Sequence, residues 1–138
     1  MALVDDDQHS ASLLTRTLLA HGSQRVERFG DAADGHARLA GVLTNSAAIW
    51  PSLIIVDLKS HSAANLDFLR SIHPLANQAG ISVAVMLHPA ERDQRETLEA
   101  AGAAAIFFRH ADRDAYRREA ASLVSFWAQS QRLEAVGM

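Results

Sequence analysis

Hydrophobic residues along the chain concentrate in five short runs, and each run is followed by a longer stretch of mixed polar and apolar positions. Two of the runs, LIIV and VAVML, are almost continuous and rich in β-branched residues, which is typical of strands covered on both faces of a sheet. The pattern therefore predicts five strands, at Ala2–Val4, Arg25–Phe29, Leu53–Val56, Ile81–Leu87 and Ala104–Phe108.

The stretches between the runs carry apolar residues at helical spacing. Leu14, Leu18 and Leu19, for example, fall on one face of a helix that follows the first strand. Residues 41–52, GVLTNSAAIWPS, are interpreted as a frayed helix end and a loop. The predicted helices are Ser12–Leu19, Ala33–Leu43, Asn65–Leu75, a fourth that begins near Pro89 and ends at Ala101, and a fifth from Asp112 to about Leu133.

Five strands that alternate with five helices indicate an α/β fold. The simplest arrangement is a five-stranded parallel sheet with helices on both faces, joined by right-handed crossovers. Its common strand order is 2-1-3-4-5, as in flavodoxin-like folds. We expect one domain over residues 1–138, with roughly the last ten residues serving as a linker or as an extension of the fifth helix.

Composition narrows the function classes. The chain has no cysteine, which excludes disulfides and thiolate chemistry and fits a cytoplasmic location. A net charge of -3 argues against direct binding of nucleic acid, since phosphate recognition needs a concentrated basic face. No apolar run approaches the length of a membrane span, so no membrane attachment is expected.

Carboxylates follow two of the predicted strands. Asp5, Asp6 and Asp7 come directly after the first strand, and Asp57 comes directly after the third. These two strands are neighbours in the order 2-1-3-4-5, and ligands bind beyond the carboxyl ends of such strands. Clustered carboxylates either take up protons or hold a cation, and oxygen ligands suit Mg²⁺. A structural alternative for the triplet is capping of the first helix.

On these residues the sequence resembles the receiver domain of bacterial two-component response regulators, over essentially the whole chain. LVDDDQ matches the family's acidic pair at Asp5 and Asp6, and PSLIIVDLKS matches the phosphoacceptor at Asp57. The resemblance implies Mg²⁺ held by these three carboxylates and the backbone carbonyl of Lys59. It also implies a phosphoryl group that Asp57 accepts from a sensor histidine kinase or a phosphotransfer protein, in a signalling module rather than an enzyme.

Three positions depart from the family pattern. Leu87 replaces the Ser or Thr whose hydroxyl meets the phosphoryl group, and Ile106 replaces the aromatic residue that rotates with it. Both substitutions are apolar, which indicates a static core where the family has a two-state switch. Arg109 replaces the lysine after the fifth strand and keeps a permanent positive charge for phosphate.

Histidines follow four of the predicted strand ends, so they could line the rim of the acidic pocket. Imidazoles in that place could bind a transition metal or titrate near neutral pH. The alternative is that surface loops accept histidine without any function. The four residues are His9, His61, His88 and His110.

The sequence leaves three functions open. The first is an atypical receiver that is phosphorylated on Asp57, and the second is a pseudo-receiver that binds partner proteins without phosphorylation. A remote third is a phosphohydrolase with an aspartate nucleophile among residues 5–7. A homodimer could form through the face of the fourth helix, fifth strand and fifth helix, although an ordinary solvated surface is the alternative. Charged residues expected on that face include Arg113, Arg117, Glu96 and Glu99.

Overall fold

The computed structural model describes residues 1–136, the last four of them by backbone only. Strands and helices alternate along the chain, as the sequence predicts. The elements are β1 Ala2–Asp5, α1 Gln8–Ala20, β2 Glu27–Gly30, α2 Ala32–Leu43, β3 Ile54–Asp57, α3 Ala64–Ala79, β4 Val83–Leu87, a 3-10 helix Pro89–Gln94 that leads into α4 Arg95–Ala100, β5 Ala105–Phe108, and α5 Arg113–Val136. Much of the segment predicted as a linker or helix extension thus belongs to α5, and residues 137–138 lie outside the described residues.

All five strands are parallel, and their order in the sheet is β2-β1-β3-β4-β5. This confirms the predicted fold class and strand order. The last pair in the register between β1 and β3 joins Asp5 to Asp57. Because both strands run in the same direction, these two aspartates leave the sheet side by side at its carboxyl edge.

The sheet separates two hydrophobic clusters, one on each face. Successive strand residues point to opposite faces, so Leu3 belongs to one cluster and Val4 to the other. Leu14 of α1 and Leu123 of α5 cover the first face, and Leu69 of α3 packs within the second. Both faces of the central strands are therefore buried, which explains why their sequences are continuously apolar.

Helix boundaries differ from the predictions where a polar residue or a proline sets the local geometry. Helix α1 begins at Gln8 because the Asp7 side chain caps it, accepting the backbone N–H groups of His9 and Ser10 at 2.9 and 3.1 Å. The predicted fourth helix is split, since the segment after Pro89 is a 3-10 helix with non-helical backbone at Glu91. None of the helices within residues 1–136 is long and apolar enough to cross a lipid bilayer.

Candidate functional site: the acidic pocket between β1 and β3

The acidic residues after β1 and β3 come together at the carboxyl edge of the sheet. Asp5 and Asp57 have 0% and 1% of their surface exposed, while Asp6 is partly buried and Asp7 is exposed. We call the group formed by Asp5, Asp6, Asp57 and Lys59 the acidic pocket. Charged side chains are rarely buried to this degree unless an opposite charge compensates them.

The side chain of Lys59 supplies one compensating charge. Its Nζ atom lies 2.8 Å from Asp5 Oδ1, 3.1 Å from Asp57 Oδ1 and 3.0 Å from the backbone oxygen of Asp57. An ammonium group has three hydrogens to donate, and the pocket offers three acceptors. The sequence analysis considered only the backbone carbonyl of Lys59, whose role as an ion ligand stays a prediction.

Arg109 supplies a second positive charge, at the same oxygen of Asp57. Its Nη1 atom donates to Asp57 Oδ1 at 2.5 Å, and its side chain is 16% exposed. The backbone N–H of Arg109 donates to the carbonyl of Leu87 at 2.7 Å, which fixes the residue just beyond β5. The side chain therefore lies against the Asp57 carboxylate, and its binding to phosphate stays a prediction.

Arg28 contacts the pocket from the edge strand β2, and the sequence analysis did not identify it. Its Nε and Nη2 atoms donate to the backbone carbonyl of Asp5 at 3.0 and 2.7 Å. A two-pronged contact of this kind uses the planar fork of the guanidinium group. Its only sequence signal is an arginine in a predicted edge strand, which is too common to single out.

Asp6 and Asp7 bond mainly to backbone groups. The two carboxylate oxygens of Asp6 accept the N–H of Lys59 at 3.1 Å each, and one of them also accepts the N–H of Ser60 at 2.9 Å. Hydrogen bonds from the first turn of α1, chiefly from Ser10, hold the pKa of Asp7 below its usual range. The capping alternative considered for the acidic triplet thus applies to Asp7, and Asp6 fastens the loop after β3.

Asp57 is the carboxylate with the most perturbed protonation. The pKa of Asp57 is raised from 3.8 to about 6, chiefly by burial and to a smaller extent by the charge of Asp5, against the opposing effect of Lys59 and Arg109. Its Oδ1 atom accepts both cations, whereas Oδ2 meets only the Ser10 hydroxyl at 3.5 Å. The two oxygens therefore differ, and Oδ2 is the one with the weaker contact.

We expect the carboxyl group of Asp57 to titrate near pH 6 rather than 3.8, as followed by the ¹³C shift of its carboxyl carbon. Because the folded-state pKa is raised, this group contributes stability that is fully present below about pH 3.8 and lost as the pH rises through about 6. In Arg109→Met, which lacks one of the opposing cations, the midpoint should move higher still. A midpoint below pH 4 in the native protein would contradict the buried environment described above.

Asn65 connects the pocket to the rest of the sheet. It is buried, its Oδ1 accepts the N–H of Leu58 at 2.9 Å, and its Nδ2 donates to the carbonyl of Met86 at 3.3 Å. One side chain at the start of α3 thereby joins the ends of β3 and β4. The sequence analysis placed Asn65 at the start of the third helix and assigned it no function.

The two positions expected to lack the family's switch lie inside the core. Leu87 is fully buried at the end of β4, and Ile106 is 7% exposed on β5. Both belong to the same hydrophobic cluster, which also contains Val85, the partner of Ile106 across the two strands. Neither can donate a hydrogen bond to a ligand, and both pack against apolar neighbours.

The four strand-end histidines have separate contacts, and a shared role for them stays a prediction. The ring of His61 contacts Ser60 Oγ at 3.1 Å and Asp67 at 3.4 Å, and Nδ1 of His88 accepts the N–H of Ala90 at 3.0 Å. His9 is exposed, and His110 lies against Phe108 with ring centres 6.3 Å apart. Among residues 1–132, whose side chains the structure describes, no group of three or more His, Asp or Glu residues is placed to hold a metal ion.

A surface cavity lies between α1 and α5. It has a volume of about 420 Å³, and Leu13, His110, Tyr116 and Arg117 are among the residues that line it. Burial and the charges of Asp57 and Asp5 raise the pKa of Tyr116 to about 12. The negative field of the pocket therefore reaches Tyr116.

A resident Mg²⁺ does not fit this arrangement. Mg²⁺ takes six oxygen ligands in near-octahedral geometry at about 2.0–2.1 Å and usually keeps several waters. Here the Lys59 ammonium group already lies between Asp5 and Asp57, and both oxygens of Asp6 accept backbone N–H groups. Asp5 Oδ2 is buried without a hydrogen-bond partner, yet one such oxygen does not make an ion site.

Several solved structures are similar to this protein over most of its length. The chain is 17% identical to the Mn²⁺-bound form of response regulator Rcp1, with a TM-score of 0.73 and 91% of each chain covered. It is 15% identical to a response regulator receiver domain from Rhodospirillum rubrum (TM-score 0.71, 92% of each chain). It is 19% identical to the phosphorylated cyanobacterial phytochrome response regulator RcpA (TM-score 0.70, 92% of this chain and 91% of that one).

The sequence itself matches no protein-family model and no curated protein. The structural likeness nevertheless extends over nearly the whole chain, and the neighbours are response regulator receiver domains. Their strand order and helix placement are those described above for this chain. The protein thus has the fold of response regulator receiver domains.

Proposed function

We propose that this chain is a signal-transduction receiver domain that accepts a phosphoryl group on Asp57. The observation that supports the proposal is the pairing of Asp57 with Asp5 at the carboxyl edge, with two cations against the Asp57 carboxylate. One structural neighbour, RcpA, was determined in phosphorylated form. A carboxylate nucleophile beside fixed positive charge is the arrangement that phosphoryl transfer requires.

The proposed step uses the less engaged oxygen of Asp57. Oδ2 attacks the phosphorus of a phosphohistidine, the P–N bond breaks, and its electron pair stays on the imidazole nitrogen of the donor. Arg109 and Lys59 stabilise the charge of the phosphoryl oxygens, because both already touch the acceptor carboxylate. No part of this step is assigned to Mg²⁺, because the Lys59 ammonium group lies between Asp5 and Asp57.

Phosphoryl transfer from a phosphohistidine requires a partner protein that carries the phosphohistidine. The donor would be a sensor histidine kinase or a phosphotransfer protein in a bacterial cytoplasm. A homodimer through α4, β5 and α5 stays part of the proposal, with Arg113 and Arg117 exposed on α5. On α4, Glu99 already pairs with Arg95 of its own helix at 2.9 Å, which leaves it less available to a partner.

A second candidate function is a pseudo-receiver that binds a partner protein without phosphorylation. The observation that favours it is the packing of Leu87 and Ile106, since neither residue can form the usual hydroxyl contact or the usual rotating aromatic. The phosphohydrolase alternative is not proposed, because Asp7 caps α1 and the structural neighbours are signalling modules.

Intact-mass measurement after incubation with a small phosphodonor tests the proposal. We expect the native protein to gain the mass of one phosphoryl group, both with Mg²⁺ and with a chelator present, because Lys59 and Arg109 already supply positive charge at Asp57. Asp57→Asn should gain none, since its amide is not a nucleophile. Asp93→Asn, which removes an exposed carboxylate outside the pocket, should be labelled like the native protein.

Absence of labelling in the native protein, under conditions that label an ordinary receiver, would reject phosphorylation and leave the pseudo-receiver. Labelling that persists in Asp57→Asn would reject the assignment of the acceptor. Labelling that disappears with the chelator would show that a divalent ion, and not the cations of the pocket, carries the charge of the phosphoryl group.

A further inference from the structure

We infer that the Lys59 ammonium group is the resident cation of the acidic pocket, and that a divalent ion binds there only in exchange for it. The inference deepens the proposed function, because it identifies what neutralises the site around Asp57. It rests on the contacts of Lys59, on its burial and on the composition of the chain.

The contacts of Lys59 complete the coordination of an ammonium ion. Three oxygens lie 2.8–3.1 Å from Nζ, and they come from both acidic strand ends. Only a quarter of the side chain is exposed, so water has limited access to the charge. Pairs of this kind are screened far less than surface salt bridges.

The composition of the chain makes this lysine unusual. Of its 13 basic residues other than histidine, 12 are arginines, and Lys59 is the one lysine. A compact ammonium group with three donors matches three oxygens around one point, whereas a guanidinium group is planar and longer. The pocket therefore contains the basic residue whose charged group is more similar in size and shape to a bound metal ion.

Lys59 and a divalent ion would compete for the same oxygens. A Mg²⁺ ion bound to Asp5 and Asp57 would lie within a few ångströms of Nζ if the lysine stayed in place. At such distances repulsion between the charges is strong in a partly buried pocket. Binding of the ion therefore requires that Lys59 swing out to solvent, which costs its two hydrogen bonds and its ion pair with Asp57 Oδ1.

Titration with Mg²⁺ in the absence of a phosphodonor, read from the backbone amide NMR shifts of residues 5–7 and 57–60, tests the inference. We expect Lys59→Met, which keeps the length of the side chain but not its charge, to bind Mg²⁺ at least about tenfold more tightly than the native protein. Arg132→Met makes the same change of net charge at an exposed position on α5 and should bind like the native protein. Equal affinity in the native protein and Lys59→Met would overturn the inference.

A second measurement uses the native protein alone, in case Lys59→Met does not fold. With ¹⁵N-labelled lysine the chain gives one Nζ signal, and without divalent ions its ammonium hydrogens should exchange slowly with water. When Mg²⁺ shifts the amides of the pocket, this signal should move to the position of a free lysine and exchange rapidly. Rapid exchange before any Mg²⁺ is added, or an unchanged signal while the ion binds, would each overturn the inference.

The Mg²⁺ titration and the measurement of lysine exchange do not depend on whether the protein is phosphorylated. A native protein that is never phosphorylated, but whose Lys59 holds the pocket and competes with Mg²⁺, would reject only the proposed function. A native protein that is phosphorylated, but binds Mg²⁺ without moving Lys59, would reject only the present inference.

Discussion

Asn65→Leu is expected to lower the free energy of unfolding by about 2–4 kcal/mol, because it leaves two buried backbone groups without partners. The leucine has a similar volume and fits an apolar setting, but it can neither accept the N–H of Leu58 nor donate to the carbonyl of Met86. Urea denaturation followed by circular dichroism measures the loss, which should appear as a lower midpoint with an unchanged slope.

Asn77→Leu is the matched control for this substitution. Asn77 lies in the same helix, α3, but is exposed, so the change should stay within about 0.5 kcal/mol. If the two variants lost the same amount, the hydrogen bonds of Asn65 would contribute nothing to stability. The joining of β3 to β4 through this side chain would then have no energetic basis.

Gly102→Ala is expected to cost about 2–5 kcal/mol, from backbone strain and overpacking together. Gly102 follows α4 with φ +117°, a conformation that residues with a side chain rarely adopt. An added Cβ would also overlap the ring of His73 on α3. Thermal and urea denaturation should both show the loss, and His73→Ala in the same chain should restore the part that comes from the overlap.

Substitutions at two other glycines allow backbone strain and overlap with His73 to be measured separately. Gly80 has φ +73° but open space around it, so Gly80→Ala should show strain alone, about 1 kcal/mol. Gly41 lies inside α2 with no positive φ and no close neighbour, and Gly41→Ala should stabilise the protein by about 0.5–1 kcal/mol. A Gly102→Ala variant no less stable than Gly80→Ala would show that His73 moves aside freely.

Much of the fold is readable from the sequence because burial on both faces leaves a strong local signal. The runs around Ile55 and Val85 are continuously apolar, and the strands found there differ from the predictions by only one or two residues at either end. Boundaries set by individual contacts are less visible. Helix α3 continues past Pro74 to Ala79, since it ends only where Gly80 adopts positive φ.

The acidic half of the site follows from topology, and the cationic half does not. Any sheet of order 2-1-3-4-5 brings the residues after β1 and β3 together, so the meeting of Asp5 and Asp57 needs no knowledge of side chains. The positions of Lys59 and Arg28 depend on where long, flexible side chains fold back. A lysine two residues beyond an acidic strand end is a signal, but spacing alone does not separate it from a solvated one.

Two of the contacts that hold the loop after β3 are made by Lys59. Asp6 holds the backbone N–H of Lys59, and Asp5 holds its ammonium group, so the same residue ties the loop to β1 twice. Withdrawal of the side chain would leave the loop anchored by its amide contacts alone, and therefore more mobile. A change in the ion concentration around the protein would then change the backbone order next to Asp57, without involving the buried apolar pair Leu87 and Ile106.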